Sequence, residues 1–396
     1  MTAANETLRG ERLGKLLFVL SGNMVLDALE VSVVLVALPT ISADLGLTLG
    51  QAQWLMSGFA LGFGTLLLLG PWINARLGRR RAYLGALVVF ALASAVGGVT
   101  GSAAVLIATR VVKGLCAALT APSGLAIIAA AYRDPARRRR AVAVYALFGA
   151  AGFSLGLLLS GVLLLADWRW TFLLPALIAA VLAVLAGRLI PAAEPGSAGR
   201  VRLSVLRDGR LARASVCAAT LNGSYIGLLL LVTAQTAGVG WAPWRTALAL
   251  LPACLPLALT VSFAGRLAGR WGTARLIAWG AAAPLAGQVL YLWRPRPEPY
   301  ATFLLPGLLL VGLGFVLSFA ALNIQATATV READRSSAIP VYQAAVQLSS
   351  VIMLPSVALL LTHAGHRAAL TLTVGVSAVG LLVALTGLGR KASWLP

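Results

Sequence analysis

Apolar runs long enough to cross a bilayer recur along the whole chain, separated by short breaks rich in arginine, proline or glycine. Spanning the ~30 Å hydrocarbon layer takes about 20 mostly apolar residues in a helix. Reading the runs against their breaks predicts twelve helical spans, at 16–40, 51–71, 83–101, 103–125, 141–164, 169–190, 212–235, 245–265, 275–293, 301–323, 338–361 and 368–388. The one long polar stretch between spans is PAAEPGSAGRVRLSVLRDGRLAR (191–213), which leaves six spans on either side. The expected fold is an all-α polytopic membrane protein with twelve transmembrane helices in two six-helix halves. The halves are 1–190 and 212–396, joined by a cytoplasmic linker at 191–211. The polar start MTAANETLRGERLGK and the length of the apolar run after it predict a first span that is retained, without a cleavable leader.

Composition fits this picture: 59% of residues are hydrophobic and 11% charged. A net charge of +20 raises the possibility of nucleic acid. The bases, however, recur at nearly every second break, in RLGRRR (76–81), RDPARRRR (133–140), the linker, Arg266/Arg270/Arg275 and Arg331/Arg335, and form no single patch. Positive-inside topology and anionic lipid explain that spacing. The expectation is a multi-pass protein of the cytoplasmic membrane, with both termini cytoplasmic, the lipid bilayer as partner and no nucleic acid. Cys116, Cys217 and Cys254 lie inside apolar segments and lack metal-ligand spacing, so they read as small buried hydrophobes. No metal, cofactor, Walker-type nucleotide loop or nucleophile–base arrangement is expected, and the chain does not read as an enzyme.

Four charges fall well inside spans: Asp27 and Glu30 in the first, Arg110 and Lys113 in the fourth. Each pair is spaced i, i+3, which puts both charges on one helical face. Exposed to lipid, the four would cost on the order of 10 kcal/mol together. They must therefore face protein or a water-filled cavity, and the expectation is that they face one another. A weak internal echo accompanies them. GPWINARLGRRR (70–81) follows the second span and GRLAGRWGTAR (265–275) the eighth, each with a central glycine, Gly78 and Gly272. Repeats of this kind build transporters whose site lies near the midplane between halves.

Several stretches carry a resemblance. LEVSVVLVALP (29–39) is similar to a first-span signature of an acid leading to a terminal ALP, with Glu30 at the acid, Ser32 for the usual Thr and Leu35 for the usual Asn. QWLMSGFALGFGTLLLLG (53–70), RVVKGLCAAL (110–119), DWRWTF (167–172) and LLVTAQTAGVGWAPWRTALALLP (230–252) match further parts of the same pattern. With these residues the chain resembles the major facilitator superfamily, specifically the second drug–proton antiporter group of multidrug exporters, in a twelve-span form. The resemblance implies a central cavity lined by the first, fourth, seventh and tenth spans. Two departures stand out. Ala75 replaces the acid of the loop after span two, leaving only the basic half of a gating loop at Gly78, Arg79, Arg80 and Arg81. Leu157 replaces the proline of the fifth-span antiporter signature.

The resulting expectation is a secondary active transporter, proton-coupled, exporting small hydrophobic or amphipathic compounds by alternating access, as a monomer, in drug or antibiotic efflux. Glu30, Asp27 and Arg110 are the proton-coupling candidates. Ionised Glu30 would pair with Arg110 and draw two helices together, and protonation would release them. A static neutral quartet of the four charges is the plainer reading. Lys113, Asn222, Tyr225, Gln235, Asn323, Tyr342 and Gln343 are candidate substrate contacts, although most polar residues of this kind serve interhelical hydrogen bonds. Trp54 and Trp170 read as interfacial anchors, and His363 and His366 flank an external loop. Two alternatives stay open: a proton symporter or uniporter importing a small polar or anionic solute, with Arg110 and Lys113 on the anion, and a non-transporting membrane scaffold derived from a transporter.

Overall fold

With no water in the bilayer core, the backbone must satisfy its own polar groups, which favours unbroken helices wherever the sequence stays apolar. A computed structural model describes residues 3–132, 134–191, 201–256, 263–293, 296–328, 330 and 334–388, and these form helices and no strand. The helices are α1 (Ala3–Asp44), α2 (Leu49–Ala52), α3 (Trp54–Leu67), α4 (Gly70–Leu77), α5 (Arg79–Val99), α6 (Ala103–Ala131), α7 (Pro135–Leu163) and α8 (Trp170–Leu189). After the linker come α9 (Gly209–Gly238), α10 (Pro243–Leu250), α11 (Ala264–Trp271), α12 (Thr273–Trp293), α13 (Leu304–Ala328), α14 (Arg335–His363) and α15 (Gly365–Leu385).

Capping residues set several boundaries. Asp134 accepts from the Arg137 N–H at 2.7 Å just before α7, with Pro135 in the first turn where its missing N–H costs nothing. Asp208 does the same for α9, accepting from Arg210 and Leu211. Thr48 and Gln51 form a reciprocal capping box at α2.

Among the described residues, ten helices are long and apolar enough to cross a membrane, and α2–α4 add a further span broken by a 64° bend. The break at Leu68–Leu69 precedes Gly70-Pro71, where proline cannot continue the preceding hydrogen-bond ladder. The expected eighth span, 245–265, resolves into α10 and a 3-10 turn at Leu251–Ala253, and its residues 257–262 lie outside the described residues. The described residues thus account for ten unbroken spans and one bent one, and the expected span 245–265 falls partly outside them.

The internal echo has a geometric counterpart. Gly78 has φ 80° and ψ 140°, and Gly272 has φ 79° and ψ 144°. Both join a short basic helix to the next long one in a conformation that L side chains rarely adopt.

Within the first group of helices, α1 lies along α7, α3 on α6, and α5 on α6 and α8. Within the second, α9 packs on α14 and α15, and α12 on α13 and α15. Contacts between the groups run from α3 to α14, from α7 to α10, and from α1 to α9. The buried cores show where these contacts concentrate. One core joins Leu29–Ile41 of α1 to Tyr225–Val232 of α9, Leu250, Leu308 and Met353, so both groups share it at the end of α1 distal from its N-terminus. Toward the proximal end the cores separate. Leu16, Leu26, Phe90 and Ile128 belong to the first group, and Leu211, Ile277, Leu322 and Val341 to the second. A small patch of Leu67, Ala118 and Ala344 remains between them.

Each group also pins its distal loops with the same three-part clasp. Asp44 accepts from the Trp168 indole at 2.8 Å and lies 3.6 Å from Arg169, whose guanidinium stacks 4.6 Å over the Trp168 ring. Glu298 accepts from the Trp241 indole at 3.2 Å and from Arg245 at 2.8 Å, and Arg245 stacks 3.9 Å over the Trp241 ring.

The α3–α6 crossing positions the charged site and depends on two glycines facing each other's backbone. A Cβ at Gly62 would collide with the Val111 carbonyl, and one at Gly114 with the Phe59 carbonyl. Such backbone approach is how small residues let membrane helices pack. Gly114→Val is expected to destabilise the protein by about 1–3 kcal/mol through overpacking. Gly101→Ala, in open space, should stay within about 0.5 kcal/mol of wild type. Thermal unfolding in detergent measures both.

Candidate functional site

The four intramembrane charges converge in the first group, where the expected Glu30–Arg110 pair is present and Lys113 joins it. Glu30 takes both bases. Arg110 donates through Nη1 to Glu30 Oε2 and through Nη2 to the Glu30 backbone carbonyl at 3.0 Å. Lys113 Nζ lies 2.6 Å from Glu30 Oε1, as an ion pair without hydrogen-bond alignment. The remaining donors are also engaged: Arg110 Nε donates to the Leu55 carbonyl at 2.7 Å, and Lys113 Nζ to Ser94 Oγ at 2.8 Å. Ser94 in turn donates to the Phe172 carbonyl at 2.7 Å, tying α5 to α8. Phenylalanine rings close the shell, Phe59 at 4.9 Å from the guanidinium and Phe90 and Phe172 at 4.9 and 5.1 Å from the ammonium. Arg110 and Lys113 are 0% exposed and Glu30 1%. In this water-excluded setting the rings add attraction that water would screen.

Asp27 stands apart. It is 5% exposed, and among the described residues no Lys or Arg pairs with it. Its Oδ2 accepts from Asn23 Nδ2 at 3.1 Å and Thr120 Oγ1 at 3.3 Å, while Oδ1 has no hydrogen-bond partner. Tyr83, Cys116 and Tyr145 stand within electrostatic reach, and the fully buried Tyr83 hydroxyl also lacks a partner. The expected mutual pairing of two acids with two bases is therefore corrected to a Glu30–Arg110–Lys113 triplet and a solitary acid. The i, i+3 spacing fixed a common face. It did not fix which acid lay level with the bases on the neighbouring helix.

The other candidates fall into three settings. Asn222 donates to the Val346 carbonyl at 2.9 Å and contacts Ser349 and Ser350, locking α9 to α14. Gln235 accepts from the Tyr291 hydroxyl, joining α9 to α12. Tyr342 is buried in the second group's core, Gln343 is half-buried on α14, and Asn323 donates to the Phe319 carbonyl of its own helix. Tyr225 lies between the groups, its ring 6.0 Å from Phe153 of α7 and 4.4 Å from Phe315 of α13. Lys113, expected as a substrate contact, is enclosed within the first group instead. In the basic loop, Arg80 donates to the Gly187 carbonyl at 2.6 Å near the end of α8, an anchor inside the first group, and Gly78 supplies the turn. Sequence reasoning missed Ser94, Thr120, Tyr83, Phe153 and Phe315. The first three look like ordinary small or aromatic residues of apolar helices, and only the tertiary fold brings them to the charges.

Charge counting yields a test. The triplet carries one excess positive charge, and Glu30→Gln would leave two buried bases without an acid. Removing one partner of a buried pair costs about 3–5 kcal/mol. Glu30→Gln should therefore lower the melting temperature strongly, and adding Lys113→Met should recover most of the loss. Thermal unfolding of the single and double variants measures this.

The chain as a whole is similar to known proteins. A family model described as Major Facilitator Superfamily matches residues 20–352. The puromycin resistance protein pur8 of Streptomyces alboniger is 31% identical over 399 residues, covering 85% of this chain and 79% of that protein. The cephamycin export protein CmcT of Amycolatopsis lactamdurans is 33% identical over 240 residues, 60% of this chain and 47% of that one. A multidrug resistance protein B homolog of Mycobacterium tuberculosis is 27% identical over 380 residues, 94% of this chain and 63% of its own. In three dimensions, a crystal structure of the nucleoside transporter NupG superposes with a TM-score of 0.77 over 95% of this chain and 99% of its own, at 12% identity, which speaks for the fold alone. This multi-pass, all-helical chain is a transporter belonging to the Major Facilitator Superfamily.

Proposed function

We propose that the protein is a proton-coupled exporter of small amphipathic compounds, working by alternating access between helices α1–α8 and α9–α15. The observation that carries the reading is the solitary buried acid beside a saturated ion-pair cluster. With Glu30 ionised and both bases charged, the triplet holds one excess positive charge. Asp27 is held by two neutral donors and no cation. A buried carboxylate without a counter-cation costs several kcal/mol when charged and little when neutral. Its charge balances the triplet only when it is ionised, so gain and loss of one proton there changes the net charge of the helix bundle by one. The sequence expectation put the switch on the Glu30–Arg110 pair, with Asp27 as a further coupling candidate. The geometry favours Asp27 as the proton carrier, with Glu30, Arg110 and Lys113 as its fixed reference charge.

Cargo is assigned to the seam between the groups where the rings of Phe153, Tyr225 and Phe315 meet. The names of the relatives, puromycin resistance and cephamycin export, support small natural products as its class. The abundance of arginine at the proximal end of the helices supports a cytoplasmic-membrane protein with cytoplasmic termini.

Everted vesicles test the coupling, with puromycin and a panel of amphipathic drugs as cargo. Asp27→Asn should keep its melting temperature and its drug-for-drug exchange. It should lose uptake driven by an inside-acid gradient by about tenfold or more, the usual scale for a lost proton-transfer group. Wild-type gradient-driven uptake in that variant would remove Asp27 from the mechanism.

A further inference from the structure

A cavity of ≈ 530 Å3 opens at the distal end, between Thr48, Gln53 and Trp54 at the start of α2–α3 and Pro355, Ser356, Leu359, Thr362 and His363 along α14. It is separate from both the charged triplet and the Phe153–Tyr225–Phe315 rings, none of whose residues line it. Its volume lies within the range of small-molecule sites, about 300–1,000 Å3.

The hydrogen-bonding state of its walls selects the ligand. The Ser356 hydroxyl donates to the Ile352 carbonyl at 2.8 Å, and the Thr362 hydroxyl to the carbonyls of Ala358 and Leu359 at 3.0 and 2.9 Å. The Thr48 hydroxyl donates to Gln51 Oε1 at 3.1 Å. All three protons are committed to the protein's own helices, which leaves lone pairs on the Ser356 and Thr362 oxygens and a second one on Thr48 Oγ1, whose first accepts the Gln51 N–H at 3.3 Å. Trp54, 39% exposed, presents an aromatic face, and Pro355 and Leu359 supply apolar wall. Among the described residues, no Lys, Arg, Asp or Glu lines the cavity.

A pocket of acceptor oxygens and an indole face, with no fixed cation to repel a guest, suits a positively charged hydrogen-bond donor on an apolar frame.

We infer that this distal cavity is a second ligand site, taking amphipathic molecules that carry a protonated amine on an aromatic frame. The amine donates to the Ser356, Thr362 and Thr48 oxygens, and the aromatic frame lies against Trp54 and Pro355. The site straddles the α3–α14 contact between the two groups, so an occupant touches both at once.

The probe is dansylcadaverine, a protonated primary amine on a naphthalene frame, added to the purified full chain in detergent and followed by its fluorescence. Dansyl amide, the same ring system without the amine, is the neutral control. Saturable binding is expected, with dansyl amide about tenfold weaker, the scale of one desolvated cation–π contact. Trp54→Leu and His363→Arg, the second placing a fixed cation at an exposed helix end, should each weaken dansylcadaverine by about fivefold or more at unchanged melting temperature. Leu92→Ala, exposed on α5 away from both sites, should leave its affinity within about twofold. Equal binding of the two dansyl compounds, or indifference to both Trp54→Leu and His363→Arg, overturns the assignment. A loss confined to Phe153→Ala also overturns it, by moving the amine to the seam between the groups.

Discussion

One carboxylate shared by two bases in a dry interior organises the first group of helices. Glu30 on α1 reaches both Arg110 and Lys113 on α6, and those bases carry the contact onward to the α3 backbone through Leu55 and to α5 and α8 through Ser94. Burying three charges is expensive, and the cost is offset only where geometry satisfies nearly every donor and acceptor. The surrounding sequence follows from that demand. Gly62 and Gly114 let α3 and α6 approach closely enough for the Leu55 carbonyl to be reached, and three phenylalanines exclude water around the bases.

Because the triplet is complete in itself, the remaining acid is free to respond to its surroundings. Asp27 sits one turn before Glu30 on the same face, close enough to feel its charge yet bonded to a different set of residues. Two carboxylates on one helix thus take different parts because their neighbours differ: two bases around one, an amide and a hydroxyl around the other. The proposed transport cycle draws on this division, with one acid holding helices together and the other carrying a proton.

Much of the fold was legible in the sequence because a bilayer leaves few options: long apolar runs become helices, and arginines mark their ends. The four buried charges were legible for the same reason, since charge inside an apolar run is costly enough to need an explanation. Gly78 and Gly272 hinted at an internal repeat that their matching backbone angles make concrete. The choice of partners was not legible. Whether Lys113 meets Asp27 or Glu30 depends on how α1 and α6 are offset along their axes, which the helical period does not encode. The break at Leu68–Leu69 lies inside a run of leucines, with Gly70-Pro71 as its only sign. Phe153, Tyr225 and Phe315 come from three distant helices, and no local pattern joins them.

The two Trp–Arg–acid clasps each stay within one group, and every ion pair among the described residues does the same. What holds the groups together at the distal end is chiefly the apolar core shared by α1 and α9. Parting that end is therefore a wetting event, in which water must enter between hydrocarbon surfaces. Such exposure raises the heat capacity and is governed by temperature and by solutes that alter apolar hydration, with little sensitivity to the ionic strength that would loosen an electrostatic latch.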